Sequence, residues 1–362
     1  MALELKFEDT THVIDPKRIV LYNSYVFVVD NSYPGKLIVF KIVDMSLIHL
    51  FTENIMNIVD VYYDGTYLAV CGGFGLSLYH FTESGINLIA NAFHENPPGQ
   101  STVYTRILKL GNYWHCTCAM SGIQGYELLY GSVLSRVAYR LRDGVGPSSG
   151  ICSSDGYIYV GNGGPGDQIL VLQLNLGTST YDLLTAYNSI PLGTVDDLTC
   201  FKGLLWCSRY THGMAVIQHL TSPHSLEFIA SRDLGQCNDI NSSSQYCYQA
   251  DSTGTFLIEL SGSNINDLEG IVGLNTIAIR GDDVHLLVGS ANSLRLYEIL
   301  ISISELRRLI PVKTRTQWQF VKMLKRLFPR GPLWRFNIFE EQSVTMQSIT
   351  SSEQWGVPDV SL

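Results

Sequence analysis

The chain has 362 residues, of which 46% are hydrophobic and only 16% charged, so it can bury a sizeable core but is poor in charge for its length. Such a chain is either mostly sheet or covered by partners, and its 20 tyrosines and 32 glycines favour strands and tight turns over helices. No apolar run approaches the roughly 18 residues of a membrane span, and the first residues lack a basic-then-apolar signal pattern, which predicts a chain made and kept in a soluble compartment.

Leu3-Glu4-Leu5-Lys6-Phe7 alternates like a strand and is expected to pair with the last strands near 294–300. A repeating phrase follows, clearest at 60–90: an apolar stretch from Asp60-Val61, a turn at Gly65, a strand over 66–70, a second turn at 72–75, then runs at 76–81 and 86–90. Further copies have their first turns near 23, 111, 156, 203, 244 and 281. The step is about 43 residues, the length of a four-stranded propeller blade. Runs such as Ile169-Leu170-Val171-Leu172 are apolar on both strand faces, as required where each sheet is covered by two neighbours. Radial closure also removes the sheet edges that so few charges could not protect. The expected fold is therefore all-β, a seven-bladed β-propeller over residues 1–312. Six blades is the alternative, because the copy at 242–244 is the least regular.

Eight cysteines fall mostly in strand-like runs and are read as reduced, buried thiols. In His115-Cys116-Thr117-Cys118 the strand period turns the histidine away from the cysteines, and no second Cys/His pair has zinc spacing, so neither metal nor cofactor is assigned. Asn162-Gly163-Gly164-Pro165-Gly166-Asp167 opens no helix and reads as a blade turn. Asp60, Asp197 and Asp239 start innermost strands and would face a central channel. There they would accept backbone N–H bonds that tie blade to blade, the alternative being a shared cation. Tyr62, Tyr63, Tyr104, Tyr210 and His212 are candidates for exposed top-face aromatics of a glycan-binding surface.

After Pro311 the period stops. Trp318, Val321, Leu324, Leu327 and Phe328 recur at helical spacing opposite lysines and arginine, predicting a helix over about 316–328 with Thr316 as N-cap and Pro329 beyond its end. Residues 343–362 are expected to be extended. Residues 306–335 hold nine basic and no acidic residues, leaving 15 basic against 33 acidic, or −18, for the rest of the chain. A basic arm over 313–362 on an acidic body fits docking on an acidic protein, including a second copy of this chain, the alternative being a helix that folds back and caps one face of its own propeller; the body would repel nucleic acid. The contact candidates are Trp318, Phe320, Val321, Leu324, Lys325, Arg326, Phe328, Arg330, Trp334 and Phe336, since so many aromatics on one short arm need a partner's groove.

Two resemblances add to this reading, the first bearing on fold alone and the second on function. The Asp-hydrophobic…Gly phrase at Asp60-Val61…Gly65, Asp197-Leu198…Gly203 and Asp239-Ile240 resembles the loop-and-strand repeats of bacterial surface propellers, with departures at Arg106, Ser149 and Thr276. Leu324-Lys325-Arg326-Leu327-Phe328-Pro329-Arg330-Gly331-Pro332-Leu333-Trp334 is similar to the leucine-leucine-proline-x-glycine-x-x-tryptophan opening of bacteriophage tail and baseplate proteins, here at the end of the chain. The second resemblance implies a non-enzymatic virion component of a tail, baseplate or fibre-attachment complex, assembled in the host cytoplasm, with other structural proteins as partners. The alternatives are a receptor- or host-glycan-binding module and a metal-dependent propeller hydrolase or lactonase using the channel carboxylates; a cytoplasmic location is the alternative to the virion.

Overall fold

A computed structural model describes residues 2–93, 103–119, 122–140, 148–162, 169–187, 195–209, 213–219, 225–233, 235–300, 334–339 and 343–348. Among them are thirty strands, numbered β1 to β30 in chain order, and no helix. The chain divides into two compact units, residues 5–298 and residues 1–4 with 299–362.

Within residues 5–298 the strands form seven four-stranded sets. Their first strands are β2 (Pro16–Tyr22), β6 (Ile58–Tyr63), β10 (Tyr104–Leu110), β14 (Ser148–Ser154), β18 (Val195–Phe201), β22 (Cys237–Ser242) and β26 (Thr276–Gly281). These seven touch in succession and β26 returns to β2, which closes the ring. The set around 242–244 is as complete as the others, its first turn closed by a 2.9 Å bond from Ser243 N–H to the Tyr246 carbonyl. β1 (Ala2–Asp9) lies beside β28 (Ser293–Leu300) in the seventh set, as the alternation of residues 3–7 predicts. Lys6 meets Glu298 at 3.0 Å and Arg295 donates to Glu8 at 2.8 Å. The third and fourth sets are joined through one parallel pair, Tyr139 with Thr180, between β13 (Val133–Arg140) and β17 (Thr180–Tyr187).

Local chemistry explains the hairpins. Asp155 and Gly156 both take positive φ, 53° and 82°, and so do Lys202 and Gly203, 51° and 74°. Two such residues in a row give the turn whose twist matches paired strands. The period of two explains the core. Val26 and Val28 face the seventh sheet, packing with Leu287, Leu294 and Leu296. Phe27 and Val29, on the other face of the same strand, pack with Val61, Leu68 and Val70 of the second sheet. The second strand of every set is thus buried on both faces, while fourth strands such as β5 (Ser46–Asn54) and β9 (Gly85–Ala92) keep exposed positions.

In the second unit, β29 (Trp334–Phe339) pairs antiparallel with β30 (Ser343–Ser348), Trp334 opposite Ser348 and Phe339 opposite Ser343. The helix expected over 316–328 lies outside the described residues, as does the glycine-rich turn at 163–167.

Candidate functional site

Each first strand carries one irregularity in its pairing at the same place: between Pro16 and Arg18, Ile58 and Asp60, Tyr104 and Arg106, Val195 and Asp197, Cys237 and Asp239, and Thr276 and Ala278. In β14 it spans Ser149 and Gly150. An extra residue there re-aims the next side chain. In five of the seven strands that side chain is charged: Arg18, Asp60, Arg106, Asp197 and Asp239.

Arg18 stands among the three aspartates. Its Nη1 donates to Asp239 Oδ1 at 2.5 Å and its Nη2 to Asp197 Oδ2 at 2.6 Å, while its Nε lies 3.8 Å from Asp60 Oδ1. These residues come from the first, second, fifth and sixth sheets, so the inner strands surround a common centre and Arg18 reaches across it. Arg106 Nε is 3.6 Å from Asp197 Oδ1. Burial lowers the pKa of Arg280, two residues beyond Ala278, against the pull of Asp239 and with the Arg18 charge adding to the fall.

The remaining carboxylate oxygens hold backbone. Asp60 Oδ2 accepts the Ile107 N–H at 2.8 Å, tying the second sheet to the third. Asp239 Oδ2 accepts the Ile279 N–H at 2.9 Å, tying the sixth to the seventh. Asp197 accepts the N–H of Leu198 in its own strand, at 3.0 Å, and is tied across the centre by arginine instead.

All four residues of the Arg18 cluster are less than a tenth exposed. Burial raises the Asp60 carboxyl to about 6 against the pull of Arg18, and the Asp239 carboxyl to about 7, with the Asp197 charge adding to the rise. Burial alone would lower Arg18; the fields of Asp197, Asp239 and Asp60 outweigh it and hold the guanidinium more firmly protonated. A buried ion needs partners of this quality to be tolerated. The place a shared cation would take among the three carboxylates is filled by this guanidinium.

Of the aromatics expected on exposed loops, Tyr104 opens β10 instead and is fully buried, its hydroxyl 2.8 Å from Gln124 Oε1 and 2.5 Å from the Tyr126 hydroxyl. Tyr62 packs edge-on against Trp114, and Tyr63 against Phe27 and Tyr22. Tyr210 and His212 lie outside the described residues. His115 Nδ1 shares a 2.7 Å hydrogen bond with the Tyr181 hydroxyl between the third and fourth sheets, and burial lowers its pKa to about 4. All eight cysteines are free, and only Cys200 is more than slightly exposed.

Of the ten arm residues named from the sequence, Trp334 and Phe336 fall on β29, where their Cα partners are Ser348 and Met346. Trp318, Phe320, Val321, Leu324, Lys325, Arg326, Phe328 and Arg330 lie outside the described residues.

A feature that no motif announces lies between the first and second sheets. Ile55, Met56, Phe74, Tyr79, Ile86 and Leu88, with Glu53 and Asn54, line an open groove of about 410 Å³. Met56 is 63% exposed and Leu88 57%. The lining comes from the edges of successive repeats, so it has no signature within one repeat.

No family model matches the chain, and no curated protein matches it by sequence. Solved structures do resemble it. The β-propeller domain of Myceliophteria thermophila Cps50 (Swd1) superposes with a TM-score of 0.61 at 10% identity, over 81% of this chain and 99% of that one. The computationally designed Ika8 protein gives 0.57 at 9% identity, over 82% and 100%. BamB from Moraxella catarrhalis gives 0.54 at 12% identity, over 78% and 83%. At these identities the likeness is one of fold, and together with the closed ring of four-stranded sets it makes this chain an all-β propeller with a further C-terminal segment.

Proposed function

We propose that the chain is a non-catalytic, structural component of a larger assembly, docked through its basic, aromatic C-terminal arm, and that this assembly is a bacteriophage particle in its tail, baseplate or fibre-attachment region. The observation that carries the reading is the segregation of charge: nine basic and no acidic residues over 306–335 against −18 for the rest of the chain. Opposite charges placed on two parts of one chain favour association between copies or with another acidic protein. Two further observations support it. The Arg18 cluster couples four sheets across the centre, as suits a rigid body under load. The groove lined by the exposed Met56 and Leu88 offers a second place where a partner's apolar side chain could lodge.

The assignment to a phage particle rests on the motif at 324–334 and is tested on particles. Host cells producing them are lysed, and particles banded in a density gradient are analysed by mass spectrometry. The full chain is expected in the particle band at fixed stoichiometry, and a chain lacking residues 313–362 is expected to stay at the top of the gradient. Incorporation of the truncated chain would overturn the role of the arm; absence of the full chain from the band would overturn the particle.

A further inference from the structure

β14 and β18, the first strands of the fourth and fifth sheets, run unusually close. A Cβ built on Gly150 would stand 2.8 Å from the Asp197 Cα and 2.9 Å from the Leu198 nitrogen, distances no side chain tolerates. Only glycine lets the two backbones meet there. Ser149 fastens the approach, its hydroxyl donating to the Val195 carbonyl at 2.5 Å. Two residues further along β14 is Cys152, and three residues further along β18 is Cys200. Their Sγ atoms are 3.0 Å apart, although 48 positions separate them in the chain. That is about 1 Å more than a disulfide bond.

We propose that Cys152 and Cys200 are a redox modification site, an inter-sheet disulfide formed by exchange with a low-molecular-weight disulfide. The half-buried Cys200 is the entry point, since Cys152 is only 8% exposed. The Cys200 thiolate attacks one sulfur of the reagent, forming a mixed disulfide and expelling one thiolate. Cys152 then loses its proton to solvent, and its thiolate attacks Cys200 Sγ, expelling the second. The two cysteines lose two electrons, the reagent gains them, and its two thiolates take up the two protons. Burial raises the Cys152 thiol, which makes the second step the slower one and speeds it as pH rises.

The bond would clip the fourth sheet to the fifth. These two sets are hydrogen-bonded as separate sheets, whereas the third and fourth already share a strand pair. Cys207, packed in the same cluster as Cys152, is the natural competitor and provides a control.

The full chain is incubated with oxidised glutathione, trapped with an alkylating agent, and mapped by mass spectrometry without reduction. The expected result is loss of two alkylatable thiols from the eight, a linked peptide pair carrying Cys152 and Cys200, and a melting temperature raised by about 5 °C. Cys207→Ser should leave the link intact; Cys200→Ser should abolish it and leave the melting temperature indifferent to oxidant. Should the Cys200→Ser chain prove misfolded, the peptide map of the unaltered chain decides alone. Eight alkylatable thiols after oxidation, a link through Cys207, or glutathione retained on Cys200 without a link would each overturn the proposal.

Discussion

Arg18 donates to Asp197 at 2.6 Å across the centre of the ring, although 179 residues separate the two in the chain. The pair joins the first sheet to the fifth, which do not adjoin. Breaking a buried pair from one side strands the other charge. Arg18→Met is therefore expected to lower unfolding stability by about 3–5 kcal/mol in denaturant titrations. Arg18→Lys keeps the charge but not the fork and should fall between the two. Adding Asp197→Asn and Asp239→Asn to Arg18→Met should recover part of the loss. An Arg18→Met chain as stable as the parent would refute the clamp.

The same cluster sets a pH dependence. Asp60 and Asp239 titrate near 6 and 7 when folded and from an ordinary 3.8 when unfolded, because burial disfavours their charged forms. A raised folded pKa contributes stability that is present below the unfolded value and lost as pH rises through the folded one. Asp9, Asp30, Asp64 and Asp282 shift the other way through hydrogen bonds that outweigh their burial, and their contribution disappears as pH falls below about 4. The melting temperature should peak near pH 4 and decline until about pH 7, above which these groups are charged in both states. Asp239→Asn should flatten the decline. Calorimetry across that range checks both.

The third and fourth sheets meet over the bond from His115 to Tyr181. Tyr181→Phe leaves a buried ring nitrogen without that partner and is expected to cost about 1–3 kcal/mol. Protection of the His115 amide from hydrogen exchange should fall with it. Unchanged stability would mean that packing alone carries this contact.

Closure depends on the first strand. Removing residues 2–9 takes away the Lys6–Glu298 and Glu8–Arg295 pairs and bares the edge of β28. The truncated chain should melt earlier and self-associate in light scattering; a monodisperse product with the parent's melting temperature would contradict the closing role of β1.

Much of this fold could be read from one dimension, because its determinants are local and repeated. Val26 to Val29 is apolar at every position, which already implies cover on both faces, and Asp155-Gly156 and Lys202-Gly203 spell their turns. Asp60, Asp197 and Asp239 could be placed on the inner strands for the same reason. The partner at their centre could not. Arg18 and Arg106 hold the register position of those aspartates with the opposite charge, so a search for likeness among repeats reads them as exceptions. Complementarity between residues 221 positions apart, as for Arg18 and Asp239, leaves no local trace. Tyr104 misleads differently: Pro97-Pro98-Gly99 just before it suggests a loop, yet its ring fills the layer between the second and third sheets.

The seventh sheet combines β1 with β26 to β28, so its members lie at opposite ends of the ring's sequence. During synthesis the earliest strand must wait for nearly three hundred residues before its neighbour exists. Six sheets can pair as they emerge, each from contiguous chain, but the ring cannot shut until residue 300 has been made. A chain halted at 275 would leave the apolar faces that flank the gap uncovered, among them the Val26 and Val28 side of the first sheet. The most dangerous nascent species is thus the nearly finished one, and any chaperone that serves this protein has its work at the last sheet.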